Sequence, residues 1–399
     1  MANTPRLAKL TRPNAQGLVK RERLFAQLDA AARQRVVWIG APAGSGKTSL
    51  VSSYLDSRKL KGIWYQVDSG DADIASFFYY LGLAVSYATP RRPPFSLLLT
   101  PEYLPNFSFF LRRFFRELFQ RAPRPTALVF DNFQQAETLQ LVEAMNILCE
   151  EVPEDCRVFI ISRSAPPAPL TRHIANESIA TLNAGDLKSQ LSETRAMLPS
   201  SMGDEFIAKF QEKTDGWTAG IILIREHIRR TGLVVLSFST TTPDSIFDYF
   251  ADQILTRLDE DSRNFLLHTS LFPQMTGAMA SQLTGQADAQ DRLEFLYRHH
   301  VFTDRREGNE PIYQYHPLFS AFLRSRLEQT RQQGEWTQLS TQSATLLESA
   351  GMIDEAAELF QQAQAWQPFI RLTLENAERT LAQGRHQTLT MRINAVPEE

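Results

Sequence analysis

Apolar residues follow two patterns in the first part of this chain. Short apolar runs predict four β-strands, at 36–40, 63–67, 127–130 and 158–162. Between these runs, apolar residues recur at helical spacing near 49–58, 71–87, 107–121 and 137–150. Within the third of these stretches, Phe110, Phe114 and Leu118 fall on one helical face, which predicts core packing. Strands that alternate with helices are typical of a parallel sheet wrapped by helices, so we predict an α/β fold.

The pattern changes after the proline pair at 166–167 and becomes almost entirely helical. Two short extended pieces, at 301–304 and 312–315, are the sparse strands expected of a small winged-helix unit. From residue 336 onward the helices come in pairs, which resemble the start of a helical-repeat array. One or two pairs cannot bury a continuous core, so we expect the array to continue in a longer protein. The predicted domains are 1–183, 184–236, 244–330 and 336–399, with a linker at 237–243.

The first predicted strand runs directly into a glycine-rich segment that is typical of phosphate-binding loops. Glycines leave room for backbone N–H groups to close around phosphate oxygen atoms, and the N-terminus of the helix predicted from Ser49 faces the anion. Lys47 supplies a positive charge for the β- and γ-phosphates, and Thr48 supplies a hydroxyl for Mg²⁺. The strict pattern has a glycine where this chain has Ala41. The predicted nucleotide contacts in this segment are Gly44, Ser45, Gly46, Lys47, Thr48 and Ser49.

Asp131 follows the third apolar run and is our candidate for the carboxylate that holds Mg²⁺ through its water shell. We expect its strand to neighbour the strand of the phosphate loop; the alternative is an aspartate that only ends a strand. Asn132 comes next and cannot accept a proton as a base, so we expect slow hydrolysis. Arg163, at the end of the fourth run, is a candidate γ-phosphate sensor, or else it forms a surface salt bridge. The candidate catalytic residues are Lys47, Asp131, Asn132 and Arg163.

Composition limits the classes of function. A length of 399 residues predicts two to four domains, and a net charge of −3 argues against a chain whose main surface binds nucleic acid. Residues 1–35 nevertheless carry eight basic and two acidic side chains, which form either a solvated arm or a segment near the nucleotide, with Arg21 as the best candidate. Two cysteines imply neither a metal cluster nor a disulfide framework. The sequence has no apolar signal region and no long apolar run, so we predict a cytoplasmic protein.

Read in order, several motifs resemble one family, the STAND signal-transduction ATPases, and specifically the MalT-like branch of bacterial LuxR-type transcription regulators. The loop at 41–48, including its non-glycine first residue, is similar to the Walker A motif of this family. The strand ends at Asp131 and Arg163 are similar to its Walker B and sensor strands. The other matching segments are 9–13, 19–22, 214–220 and 313–319, together with 346–363 and 384–399, which are similar to the first helices of the sensor domain of this family.

The resemblance implies roles that the residues alone do not give. The amino-terminal segment, with Val19 and Arg21, would contact the adenine and ribose, and 214–220 would belong to a helical lid. His316 would reach the β-phosphate of ADP; the alternative is a histidine with a purely structural role. Asn132 departs from the family, which usually has a second acid at this position.

The family resemblance also implies a function and partners. ADP would hold a resting state, and a small-molecule or protein inducer would favour ATP, Mg²⁺ and self-association. DNA would be bound only through a carboxyl-terminal domain beyond this chain, and no membrane would be involved. Two other functions stay open: a dedicated ATP-hydrolysing enzyme, and a STAND defence or scaffold protein that does not act in transcription.

Overall fold

The computed structural model describes residues 7–199, 202–231, 255, 258–298, 301–306, 310–330 and 333–397. The chain divides into two compact units. The first comprises Met1–Pro42, Lys47–Asp186 and Ile370–Glu399, and the second comprises Ala43–Gly46 and Leu187–Phe369. The predicted linker at 237–243 lies outside the described residues.

The first unit is built on a parallel sheet of five strands in the order β2-β3-β4-β1-β5. The strands are β1 (Val36–Gly40), β2 (Lys61–Gln66), β3 (Thr126–Asp131), β4 (Cys156–Ser162) and β5 (Ile179–Leu182). The four predicted strands and the predicted parallel sheet are therefore confirmed. The strand β5 was not predicted, because only four residues form it at the sheet edge and only two of them, Ile179 and Leu182, are buried.

Sheet order corrects one prediction. The strand of Asp131, β3, does not neighbour β1, because β4 lies between them. Chain order does not give sheet order when helical crossovers connect parallel strands. The register still brings the carboxyl ends together, since Gly40 pairs with Ser162 and Phe130 pairs with Ile160.

One helix precedes the first strand of this unit, and five helices and several short 3₁₀ turns connect the strands. The helices are α1 (Glu22–Ala30), α2 (Lys47–Ser57), α3 (Ile74–Ala88), α4 (Phe107–Arg121), α5 (Leu139–Glu151) and α6 (Thr171–Ala175). The predicted apolar face of α4 is confirmed, because Phe110, Phe114 and Leu118 are at most 1% exposed. Both cysteines are free thiols, and burial raises the pKa of Cys149 to about 12.

The second unit is largely helical and contains one small sheet. Its first helices are α7 (Leu191–Met197), α8 (Asp204–Thr214), α9 (Thr218–Thr231), α10 (Glu260–Thr269), α11 (Gly277–Thr284) and α12 (Ala289–Arg298). After the sheet come α13 (Pro317–Thr330), α14 (Gln333–Ser349) and α15 (Ile353–Gln362), and α16 (Trp366–Glu375) begins in this unit and ends in the first. The two predicted extended pieces form the antiparallel strands β6 (Thr303–Arg306) and β7 (Ile312–Tyr315), with Thr303 opposite Tyr315.

The last helices, α17 (Ala377–Ala382) and α18 (His386–Asn394), return to the first unit. A buried polar cluster attaches them to α3: the Thr388 hydroxyl donates to Asp73 Oδ2 at 2.6 Å, and Arg385 Nε donates to Ser76 Oγ at 2.5 Å. The sequence-derived domain 336–399 thus spans both compact units, and that division of the chain stays a prediction. Among the described residues, helices long and apolar enough to span a bilayer are lacking.

Candidate functional site

The loop between β1 and α2 has the backbone of a phosphate cradle. Gly44 and Gly46 adopt φ angles of 77° and 78°, which glycine reaches without steric cost. Helix α2 begins at Lys47, two residues before the predicted start, so the loop leads directly into a helix N-terminus. Anions are stabilised at such ends because N–H groups and the helix dipole point towards them.

Within the second unit, the loop residues Ala43–Gly46 contact the start of α9. Trp217 Nε1 donates to the carbonyl oxygen of Ala43 at 3.2 Å, and the Ala219 N–H donates to that of Gly44 at 2.9 Å. A Cβ atom on Gly44 would lie 2.7 Å from Ala219 Cβ, too close for a normal contact. These hydrogen bonds engage two carbonyl groups that would otherwise repel an anion, and they fix the loop conformation.

Lys47 lies over its own loop at the first turn of α2. Its ammonium donates to the carbonyl oxygens of Ala41 at 2.6 Å and Pro42 at 2.8 Å. Burial lowers the pKa of Lys47 to about 8; the charge of Asp131 opposes this shift and that of Arg163 adds to it. A neighbouring phosphate would restore the pKa, because negative charge favours the charged ammonium.

Thr48 and Asp131 form a pair of oxygen donors suited to Mg²⁺. The Thr48 hydroxyl lies 3.1 Å from both carboxylate oxygens of Asp131, which is only 3% exposed. Hydroxyl and carboxylate oxygens are hard donors that Mg²⁺ prefers, and this ion usually keeps phosphate oxygens and waters as its other ligands. Within the described part of the chain, no group of three or more His, Cys, Asp and Glu side chains could hold a metal alone. The donor set therefore fits a magnesium–nucleotide complex rather than a resident metal.

Asn132 has a conformational reason for its place after Asp131. Its φ of 61° and ψ of 38° lie in the left-handed region, which asparagine tolerates better than most residues. Its N–H donates to Asp131 Oδ1 at 3.0 Å, so the turn helps to orient the carboxylate. The amide side chain cannot act as a general base. Slow hydrolysis stays a prediction.

Arg163 follows β4 and is exposed. Its N–H donates to Gln134 Oε1 at 3.0 Å, and its charge reaches Lys47. In the described ranges, Arg163 forms no ion pair, so the salt-bridge alternative gains no support there. Gln134, three residues after Asp131, was not among the predicted site residues. Lys47, Thr48, Asp131 and Arg163 thus lie together at the carboxyl edge of the sheet, while a sensing role for Arg163 stays a prediction.

The amino-terminal segment is held in place and is not a freely solvated arm. Lys9 Nζ lies 2.8 Å from Asp71 Oδ1 and 2.8 Å from Asp68 Oδ2. Burial lowers the pKa of Lys9, but the two aspartates outweigh this and raise it. Arg21 is only 5% exposed and Val19 is half-buried. Their contacts with adenine and ribose stay a prediction.

His316 lies in the second unit immediately before α13. Its Nδ1 accepts from the Leu318 N–H at 3.3 Å, and its ring meets Phe302 edge to face with centroids 6.0 Å apart. These contacts give the ring a structural role of its own. The phosphate-sensing role of His316 therefore stays a prediction.

Comparisons with known proteins point in one direction. A family model of the MalT winged helix domain matches residues 251–336. The HTH-type transcriptional regulators MalT of Cronobacter sakazakii and Yersinia enterocolitica are 29% and 28% identical to this chain, each over 80% of it and 36% of the regulator. The chain thus spans about a third of the length of these curated relatives.

A solved structure shares the fold. It is the Signal Transduction ATPase with Numerous Domains (STAND) protein with a tetratricopeptide repeat sensor from Pyrococcus horikoshii. The match has a TM-score of 0.67 at 18% identity and covers 96% of this chain and 55% of that chain. At this level of identity, the similarity extends to the fold alone.

Proposed function

We propose that this chain is a nucleotide-gated switch of a transcription regulator. The premise is that the chain is MalT-like and has the fold of a STAND ATPase, as the sequence predicted. ADP stabilises the resting state. ATP with Mg²⁺ replaces ADP when an inducer binds, and the ATP state self-associates. The switch requires that the γ-phosphate contribute binding energy in only one of the two states.

One observation carries this proposal. One sheet edge carries a positive charge for phosphate, from Lys47, and oxygen ligands for Mg²⁺, from Thr48 and Asp131. The residue after Asp131 is Asn132, which cannot act as a general base. Such a site favours binding over turnover. We expect a kcat well below the value of about 10 s⁻¹ that is typical of dedicated enzymes.

The contact between the loop and α9 supports the switching part of the proposal. Because Ala43 and Gly44 accept hydrogen bonds from Trp217 and Ala219, a change in loop conformation has to move or break contacts of this helix. The predicted lid at 184–236 contains α9. Nucleotide exchange would thereby change the contacts of a helix in the predicted lid.

The remaining parts of the proposal extend the family resemblance to the rest of the chain. Residues 1–183 bind the nucleotide, 184–236 form the lid, 244–330 the winged-helix domain and 336–399 the start of the sensor arm. A small molecule or a protein acts as inducer, and DNA is bound by a carboxyl-terminal domain outside this chain, in the cytoplasm. The matching relatives are HTH-type transcriptional regulators, which supports the assignment to transcription.

Binding and assembly measurements test the proposal. The chain should bind ADP and ATP, Lys47→Ala should abolish binding, and light scattering should show larger particles with ATP than with ADP. His316→Ala should weaken ADP binding and favour assembly. Tight ADP binding by Lys47→Ala, or the same particle size with both nucleotides, would contradict the switch.

Hydrolysis rates separate the switch from a dedicated enzyme. If chemistry is the output, Asn132→Ala should lose most of a substantial turnover. In a switch, turnover is slow from the start and Asn132→Ala changes it little. A wild-type kcat on the order of 10 s⁻¹ would count for the enzyme.

A further inference from the structure

Gln134 carries a side-chain amide whose orientation is fixed by its neighbour. It lies in the 3₁₀ turn Phe133–Gln135 that follows β3, and its Oε1 accepts from the Arg163 N–H at 3.0 Å. A backbone N–H can only donate, so the oxygen and not the nitrogen of the amide has to face it. The position of Nε2 is therefore set by the hydrogen bond and not by an arbitrary choice between two similar atoms.

This orientation leaves the donor side of the amide without a partner. Gln134 Nε2 is buried, and it has no hydrogen-bond acceptor among the residues that the structure describes. Buried polar nitrogens without an acceptor are rare in folded proteins, because such a group has lost its water and gained nothing in exchange. An acceptor that arrives with a ligand would satisfy it.

The surroundings of Gln134 indicate what kind of acceptor fits. The residue connects the ends of β3 and β4, three positions after Asp131 and in direct contact with the backbone of Arg163. The charges of Asp131 and Arg163 both act on Lys47, so all three groups lie at the same end of the sheet. Thr48 and Asp131 would hold the Mg²⁺ of a bound magnesium–nucleotide complex, which would bring phosphate oxygens to this edge of the sheet. A phosphate oxygen is the strong acceptor available there.

We propose that Gln134 is a specificity-determining residue that donates a hydrogen bond from Nε2 to the γ-phosphate of ATP. ADP lacks this acceptor, so the bond distinguishes the two nucleotides. The inference rests on the proposed function, because it presumes that the site binds both. It assigns recognition of the γ-phosphate to an amide, which agrees with a site that has Asn132 and no second acid.

Gln134→Glu removes the donor and keeps the acceptor. Glutamate keeps an acceptor for the Arg163 N–H, but it replaces the donor with a carboxylate oxygen that repels the γ-phosphate. A charge-assisted hydrogen bond supports about a tenfold or larger effect on affinity, so ATP should bind at least about tenfold more weakly and ADP should change less than about twofold. Gln135→Glu is the matched control, because the next residue is exposed and receives the same charge.

The measurement is competition of ADP and of a non-hydrolysable ATP analogue against fluorescent ADP, in Mg²⁺, with the 399-residue chain. The informative quantity is the Kd of the ATP analogue divided by the Kd of ADP. A purely structural role of Gln134 would not change this ratio. If the glutamate variant does not fold, the same ratio is measured on Gln134→Met, whose side chain has no donor and no charge. An increase of the ratio in these variants, but not in Gln135→Glu, supports the proposal.

Other outcomes separate the possible failures. Equal weakening of both nucleotides, or an unchanged ratio, overturns the assignment and leaves Gln134 as a tie between β3 and β4. If the wild-type chain binds neither nucleotide, the proposed function itself fails. If it binds both and Lys47→Ala does not, the proposed site stands whatever the result for Gln134.

Discussion

Lys47 should couple phosphate binding to the pH of the solution. Burial lowers the pKa of its ammonium to about 8, with Asp131 opposing this shift and Arg163 adding to it. Only the charged form attracts phosphate, and bound phosphate raises the pKa because it adds negative charge beside the ammonium. Nucleotide binding therefore takes up a proton at high pH. Affinity should be nearly constant below pH 8 and should fall as the pH rises through this value.

The size of the effect follows from the charged fraction of Lys47. For a pKa of about 8, this fraction is roughly 0.76 at pH 7.5 and roughly 0.03 at pH 9.5, and the apparent Kd rises in inverse proportion, by about 25-fold. This ratio corresponds to about 2 kcal/mol of binding free energy. The last ionisation of a phosphate group, with a pKa of about 6, is nearly complete throughout the range and contributes little.

The assay is the Kd of ADP, from calorimetry or displacement of a fluorescent analogue, at constant ionic strength across this pH range. Lys47→Arg is the control, because a guanidinium stays charged and its affinity should not depend on pH. The reasoning is refuted if the wild-type Kd changes less than about threefold while Lys47→Ala still loses binding. The pKa of Lys47 would then lie near its ordinary value of 10.5.

Two further substitutions test one packing contact and one hydrogen bond. Gly44→Ala should lower the free energy of unfolding by about 1–3 kcal/mol and weaken ADP binding, because the new Cβ meets Ala219 and the φ angle is positive. Gly285→Ala, with a φ of 73° and open space around it, measures the backbone cost alone, and thermal unfolding of both variants gives the comparison. Thr388→Val should remove the hydrogen bond to Asp73 at a cost of about 1–3 kcal/mol. It should speed hydrogen exchange of the amides at 383–394, and unchanged exchange would mean that this bond does not hold the last helices in place.

The local part of the site could be predicted because its residues are contiguous. Gly44, Gly46, Lys47 and Thr48 follow one strand, and each has a chemical role that depends on chain spacing alone. The ends of the sheet could be predicted almost as well, since the apolar runs before Asp131 and Arg163 mark where strands stop. The identity of Asn132 alone predicts that this position lacks a general base.

Contacts between distant residues could not be predicted in the same way. Nothing in the spacing of Gln134 and Arg163 predicts that an amide oxygen meets a backbone N–H, because the bond depends on the register of β3 against β4. The hydrogen bond from Trp217 to Ala43 joins residues 174 positions apart. Thr388 and Asp73 are 315 positions apart.

The sequence by itself determined the phosphate loop, the strands that end at Asp131 and Arg163, and the change from an α/β to a helical pattern. These depend on local periodicity and on side-chain chemistry within a few residues. Only the tertiary structure decided that β4 lies between β1 and β3, that Gln134 has a buried donor, and that the last helices pack on α3. Those features depend on which surfaces pack together when the whole chain buries its apolar area, and no short segment contains that information.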